Sequence, residues 1–403
     1  MSPPMRNWRP AESSCLRCKT MKKLIPLIMA LLLVGCGAAP EETVPSSQTV
    51  PAVAEPVPTE PPDPIAQQMD TMTLEEKVGQ MFVIQPESLG IETDPAAVSG
   101  ELLAQYPVGG FLITGSNISS DGQIRQLIAA LQSASEIPLL IATDEEGGTV
   151  ARFANKKFLN LPKYKSTASV GASGDPEDAL EMGRTIGGYL KSYGVNMDLA
   201  PVADANTNPQ NPIIGKRAFS SDAGTVRDMA ASMAEGLREE GIIPTYKHFP
   251  GHGDTAQDSH TELAVSEKTV EELRVCEWLP YRGLSSEICV MVAHVALPNV
   301  TGNMLPATLS PEIIQGYLRQ ELGFTGVVLT DGMEMRAIVN HYSDGEAAVL
   351  AILAGCDIVL QPDDFLEAYE AVLAAVAEGR ISRTRIDESV YRILTLKQTY
   401  GLQ

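Results

Sequence analysis

From about Ile65 to Gln403 the chain alternates between short apolar runs and longer stretches with helical spacing of apolar residues. The apolar runs are Val78–Ile84, Val108–Thr114, Pro138–Thr143, Val195–Ala203, Ile242–Tyr246, Cys289–Val295, Val327–Thr330 and Asp357–Leu360. Amphipathic stretches lie between them at Gln123–Ser133, Pro176–Ser192, Asp222–Glu240, Thr269–Ser286, Pro311–Leu322 and Glu346–Ala354, and helices over Phe365–Glu378 and Arg385–Tyr400 close the chain. A strand followed by a helix implies parallel strands, because the return path runs along the helix. Eight such units in this length predict an α/β fold of the single (β/α)8 TIM-barrel type over residues 65–403. A doubly wound open sheet would produce a similar alternation. No internal repeat and no second domain after the last helix are expected.

The first part of the chain has a different texture. Met21-Lys22-Lys23 precedes an apolar run from Leu24 to Val34, the shape of a signal peptide and too short to span a membrane comfortably. Leu33-Val34-Gly35-Cys36 resembles a bacterial lipobox, which makes residues 1–35 a leader and Cys36 the lipidation site. Residues 1–20 read either as a long n-region or as an upstream start that is not the natural one, and Cys15-Leu16-Arg17-Cys18 as part of a discarded leader. Residues 36–64, rich in Pro, Glu, Thr, Val and Ala, cannot bury a core and predict an extended, disordered tether. The expected location is extracytoplasmic, with membrane contact only through the lipid. A net charge of −21 argues against a nucleic-acid partner. Cys276, Cys289 and Cys356 sit in apolar or helical settings and read as buried thiols.

Polar residues gather just after the apolar runs: Asp144-Glu145-Glu146-Gly147-Gly148, Asp204-Ala205-Asn206, Lys247-His248, His294 and Asp331. A barrel places its reactive groups at that end of its strands. The densest segment, Lys247 to His260 (KHFPGHGDTAQDSH), holds three of the chain's five histidines. Cleavage of a glycosidic bond needs an acid for the leaving oxygen and a nucleophile or activated water. Asp331, at a strand end, suits the nucleophile. His260 suits the acid, since an imidazole titrates near neutrality and Asp258, two residues away, can fix its tautomer. His248, His252, Asp254, Asp258 and His260 could instead gather around a metal. However, no H-E-x-x-H spacing occurs, and Lys247 would bring a positive charge to the cation. No metal and no organic cofactor are expected.

KHFPGHGDTAQDSH closely resembles the signature of glycoside hydrolase family 3, in its bacterial β-N-acetylglucosaminidase branch. The resemblance extends through Asp144–Gly148 with Val150–Phe153, Asn196–Asp204, Asn211–Phe219 and Thr330–Met333 to Arg385–Val390 and Arg392–Leu394. It departs from the pattern at Thr149, where arginine is common, and at Gly332, where an acidic or small polar residue is frequent. The resemblance implies Asp331 as nucleophile, His260 as acid/base with Asp258 as its dyad partner, and Asp144, Arg217, Lys247 and His248 as holders of the sugar's hydroxyls. The expected function is a retaining exo-β-N-acetylglucosaminidase acting as a monomer on N-acetylglucosamine-containing oligosaccharides or muropeptides. A phosphorylase or β-glucosidase of the same family, and a lipid-anchored sugar-binding protein, are the competing readings.

Overall fold

The computed structural model describes residues 63–257 and 262–402. The leader, Cys36 and nearly all of the expected tether lie outside the described residues, as do Asp258 and His260.

Eight parallel strands form one sheet: β1 Phe82–Ile84, β2 Gly110–Ile113, β3 Leu140–Thr143, β4 Met197–Asp198, β5 Ile243–Phe249, β6 Cys289–Val292, β7 Val328–Thr330 and β8 Val359–Leu360. Neighbours in space follow chain order, in registers such as Val83↔Gly110, Phe111↔Ile141, Met197↔Ile243 and Leu329↔Met291. β8 pairs with β1 through Phe82↔Val359, and a single parallel bridge, Leu329↔Ile358, joins β7 back to the β8 end. The sheet is thus nearly closed, which selects the barrel over the open sheet and leaves little free edge. The strands are buried on both faces, as their continuous apolar runs demand.

The helices form for local reasons. Asp121–Ala134 is capped by Ser120 and buries Ile124, Leu127, Ile128 and Leu131, the i, i+3, i+4, i+7 stripe. Pro176–Tyr193 begins with Asp175 and a first-turn proline and ends at Gly194 in the left-handed region. It crosses Ala223–Glu239 closely at two glycines. A Cβ on Gly183 would lie 2.2 Å from the Met233 carbonyl, and one on Gly236 2.2 Å from that of Leu180.

Three expectations are corrected. Val78–Gln80 belong to a helix, Leu74–Gln80, rather than to the first strand, because Thr73 and Glu76 form a capping box that starts it. Thr269–Ser286 is not one helix. It stops at Val275 and resumes as a 3₁₀ turn over Leu279–Tyr281, where Pro280 lacks the amide a continuing helix needs. The last strand is shorter than Asp357–Leu360. Buried Asp357 instead accepts from Arg319, Arg392, Ser389 and the Val328 amide.

The two ends of the barrel domain meet at the seam. Phe82 packs edge-on against Phe365 and Tyr369, Lys77 pairs with Asp387, and Tyr369 donates to the Glu75 carbonyl. Below β2, buried Lys397 donates to Gln80 at 2.7 Å and to the Gly109 carbonyl at 3.0 Å. Desolvation brings its pKa down to about 7.

Candidate active site

A cavity of about 520 Å³ opens at the C-terminal ends of the strands, lined among others by Asp144, Arg152, Arg217, Lys247, His248 and Asp331. Its first wall follows β3. Successive residues of an extended chain point to opposite sides, so Asp144, on the cavity wall, and Glu146, buried behind Lys247 and Arg217, share one side while Glu145 turns away. Glu145 accepts from the amides of Phe153 and Ala154 and from the Tyr189 hydroxyl, each at 2.8 Å, which anchors the hairpin Glu145–Gly147/Val150–Ala151. The turn uses two glycines at positive φ, Gly147 (85°) and Gly148 (69°), a pair that other residues adopt at a cost.

The second wall is the end of β5. Lys247 is buried and reaches Asp144 Oδ1 at 2.7 Å and Glu146 Oε1 at 2.6 Å. Arg217 clamps the two Glu146 oxygens from Nε and Nη2 at 2.8 and 2.7 Å. Arg152 holds the other oxygen of Asp144 at 3.2 Å. Burial alone would drive both carboxyls toward protonation, but the cations more than offset it. Lys247 and Arg152 lower Asp144, and Arg217 and Lys247 hold Glu146 well below the usual carboxylate range. The same pairs outweigh the desolvation of Lys247 and raise its pKa, so the cluster is charged throughout.

His248 is fixed at both ring nitrogens, Nδ1 to Asp204 at 2.6 Å and Nε2 to Arg217 at 3.3 Å. A guanidinium only donates, so Nε2 accepts and Nδ1 donates. Asp204 also accepts the main-chain N–H groups of His248 and His252, at 3.1 and 2.7 Å. One aspartate therefore secures both ends of the turn that follows β5. The peptides Ala200–Pro201, Lys247–His248 and Phe249–Pro250 are cis.

Asp331 ends β7. Its amide donates to the Val292 carbonyl at 2.9 Å, and its Oδ1 accepts from the Gly332 amide at 2.8 Å. Beneath it, His294 Nε2 donates to the Gly332 carbonyl at 2.9 Å, and Nδ1 meets the Thr308 hydroxyl at 2.8 Å. Desolvation acts to raise the Asp331 pKa, but its neighbours His248 and His294, the Gly332 amide and Lys247 together bring it below the ordinary value. An ionised, oriented carboxylate at a strand end is the form a nucleophile requires.

Thus Asp144, Arg217, Lys247, His248 and Asp331 surround one cavity. Asp258 and His260 belong to the loop after β5. Its described flanks are tied down, with Asp254 accepting from Ser266 at 2.7 Å and Ala264–Val265 pairing with Val295–Ala296. Among the described residues no three His, Cys, Asp or Glu side chains are arranged to hold a metal ion. Glu334 was missed by the strand-end pattern: it lines the cavity three residues past Asp331. The loop after β3 also has a character of its own. From Gly147 to Gly174 it contains no acidic residue but carries Arg152, Lys156, Lys157, Lys163 and Lys165. Lys156 reaches Gly115 on the cavity lip, its Cε 3.9 Å from where a Cβ on that glycine would stand.

Residues 73–396 match the glycosyl hydrolase family 3 N-terminal domain. The chain is 33% identical over 327 residues to a beta-hexosaminidase A from Pseudoalteromonas piscicida, covering 74% of this chain and 54% of that protein. It is 32% identical over 388 residues to the beta-hexosaminidase LpqI of Mycobacterium tuberculosis, covering 91% of this chain and 95% of that one. Among solved structures, a family 3 β-N-acetylglucosaminidase from Paenibacillus sp. FPU-7 superposes with a TM-score of 0.75 at 40% identity, covering 82% of this chain and 63% of that one. A beta-glucoside phosphorylase, BglX, superposes with a TM-score of 0.73 at 27% identity, covering 84% and 61%. This chain thus spans a little over half the length of several relatives and nearly all of another. With the family domain spanning most of the barrel and its strand-end residues, the chain belongs to glycoside hydrolase family 3.

Proposed function

We propose that this protein is a retaining exo-β-N-acetylglucosaminidase that removes terminal N-acetylglucosamine from peptidoglycan-derived fragments. The observation carrying this reading is the union of an ionised Asp331 with the clamp of Asp144, Lys247, Arg217 and His248 around a cavity sized for a sugar residue. Relatives named beta-hexosaminidase and β-N-acetylglucosaminidase support the choice of sugar. In this mechanism Asp331 attacks the anomeric carbon as His260, oriented by Asp258, gives its proton to the departing glycosidic oxygen. Water then displaces Asp331 from the glycosyl-enzyme, and His260 takes the water's proton. The acid-free basic loop beside the cavity favours an aglycone bearing carboxylates, as peptidoglycan fragments do. Lipidation of Cys36 would hold the domain at the outer face of the cytoplasmic membrane.

The test is steady-state hydrolysis of an aryl N-acetyl-β-glucosaminide beside the corresponding glucoside. We expect strong preference for the acetamido sugar, and a fall of at least about 10³-fold in kcat for Asp331→Asn. Activity unaffected by that substitution would remove Asp331 from the mechanism. Release of a sugar 1-phosphate in phosphate buffer would make the protein a phosphorylase, as the relative BglX is named.

A further inference from the structure

One carboxyl group in the cavity has no part in the chemistry above. Glu334 lies on the turn that leads the chain away from β7. Its main chain is bolted to the end of β8: the Glu334 amide donates to the Gln361 carbonyl at 3.0 Å and the Met333 amide to that of Leu360 at 3.0 Å. The side chain folds back over Gly332. A Cβ on that glycine would stand 2.5 Å from Glu334 Oε2 and 2.9 Å from Oε1, so the carboxyl occupies the space a side chain at 332 would need. A side chain at this position, where the family often carries an acidic or small polar residue, would have to push the Glu334 carboxyl aside. Oε2 is buried and has no hydrogen-bond partner among the described residues.

The charged groups that act on this carboxyl are Asp331 on the same turn, Asp144 from the end of β3 and Asp363 beyond β8, all of them acidic. The cations that line the cavity, Lys247, Arg152 and Arg217, are committed to Asp144 and Glu146. An ionised Glu334 would thus be poorly solvated, faced by like charge, and relieved only by its own amide. An uncharged carboxylic acid has neither problem, and it converts an acceptor into a donor.

We propose that Glu334 works as an uncharged carboxylic acid that binds the sugar, donating a hydrogen bond from Oε1 to an oxygen of the residue held against Asp331. The inference rests on the hydrolase reading above. Burial, followed by repulsion from Asp331, Asp144 and Asp363, pushes the Glu334 pKa up to about 8, so the donor is present at neutral pH and lost above it. Ionisation would remove the donor and place an anion against the sugar's lone pairs, weakening binding.

The experiment follows kcat and KM of the whole protein from about pH 6 to about pH 10 on 2,4-dinitrophenyl N-acetyl-β-glucosaminide. That leaving group departs without a proton, so titration of the acid/base histidine does not shape the alkaline limb. We expect kcat/KM to fall about tenfold per pH unit above the Glu334 pKa, through KM. Glu334→Gln, which keeps a donor but cannot ionise, should give a flat profile, and Glu334→Ala should raise KM about tenfold at every pH. An alkaline fall that survives in Glu334→Gln overturns the proposal, and so does a wild-type profile that is flat. A second readout needs no turnover. In the infrared difference between wild type and Glu334→Gln, the carbonyl band of a protonated carboxylic acid should be present at about pH 7 and gone by about pH 9. Its absence from that difference would also overturn the proposal. If the protein fails to hydrolyse the substrate, the hydrolase reading falls. Glu334 is then judged by that band and by N-acetylglucosamine binding, which must weaken above about pH 8 in the wild type alone.

Discussion

Three consecutive acids after β3 show how position alone divides labour. Asp144 and Glu146 turn to the side of the cavity's cations and pair with them, while Glu145 points the other way and holds the hairpin. Glu146 touches both Lys247 and Arg217, so we expect Glu146→Gln to cost on the order of 3 kcal/mol in urea unfolding at neutral pH and to raise KM. The sign of the pH effect follows from its lowered pKa. The stability Glu146 contributes is fully present above its unfolded value of 4.5 and is lost as pH falls toward the folded value. Acid unfolding of Glu146→Gln should therefore be less steep below that pH than in the wild type. An unchanged slope would mean that Glu146 is not the coupled group. Asp144, Lys247, His248 and Asp331 were legible as polar groups at the ends of apolar runs, and Arg217 only through the family resemblance. Their pairings were not, because Arg217 finds Glu146 across 71 positions of chain and Lys247 finds Asp144 across 103. Glu334 was hidden for another reason: within Asp331-Gly332-Met333-Glu334 an acid reads as an ordinary turn residue until the turn is seen folded over Gly332.

At the scale of elements, the loop after β5 is built on close backbone approach. A Cβ on Gly253 would stand 1.8 Å from the Ala205 carbonyl, and one on Gly251, at φ 126°, only 2.3 Å from Glu277 Cγ. The loop that goes on to Asp258 and His260 is thereby seated on the loop after β4. Gly253→Ala must shift one loop against the other. We expect a loss of about 1–3 kcal/mol in thermal unfolding. We also expect a larger drop in kcat/KM for aryl glycosides with poor leaving groups than for the dinitrophenyl substrate, because misplacing the loop misplaces the proposed acid. Equal losses on both would separate this loop from proton donation. The alternation of strands and helices was readable because most of the long helices carry a side-chain cap and an apolar stripe, and the buried strands lie in continuous apolar runs. Reading failed where one short signal competed with another: a capping box at Thr73 and Glu76 whose helix runs on into the apolar run from Val78, and Pro280 inside a helical stripe.

Across the whole molecule, charge is unevenly spread. The chain carries −21, yet the loop flanking the cavity from Gly147 to Gly174 is purely basic. Reversing Lys156 and Lys157 to glutamate should cut kcat/KM about tenfold on a substrate with a carboxylate-bearing aglycone, and leave a neutral aryl glycoside nearly unchanged. Added salt should shrink that difference. Identical effects on both substrates would detach this loop from aglycone choice. The seam between β1 and β8 has a consequence for how the protein is made. Phe82 cannot meet Val359 until nearly all of the barrel has left the ribosome, and the Leu329–Ile358 bridge waits for the same residues. Until then, the apolar edges of β1 and β7 have no partners, and Asp331 has no β8 turn to brace it. An interrupted chain is therefore both sticky and inert, and activity during synthesis should appear abruptly with the final helices rather than accumulate as the chain grows.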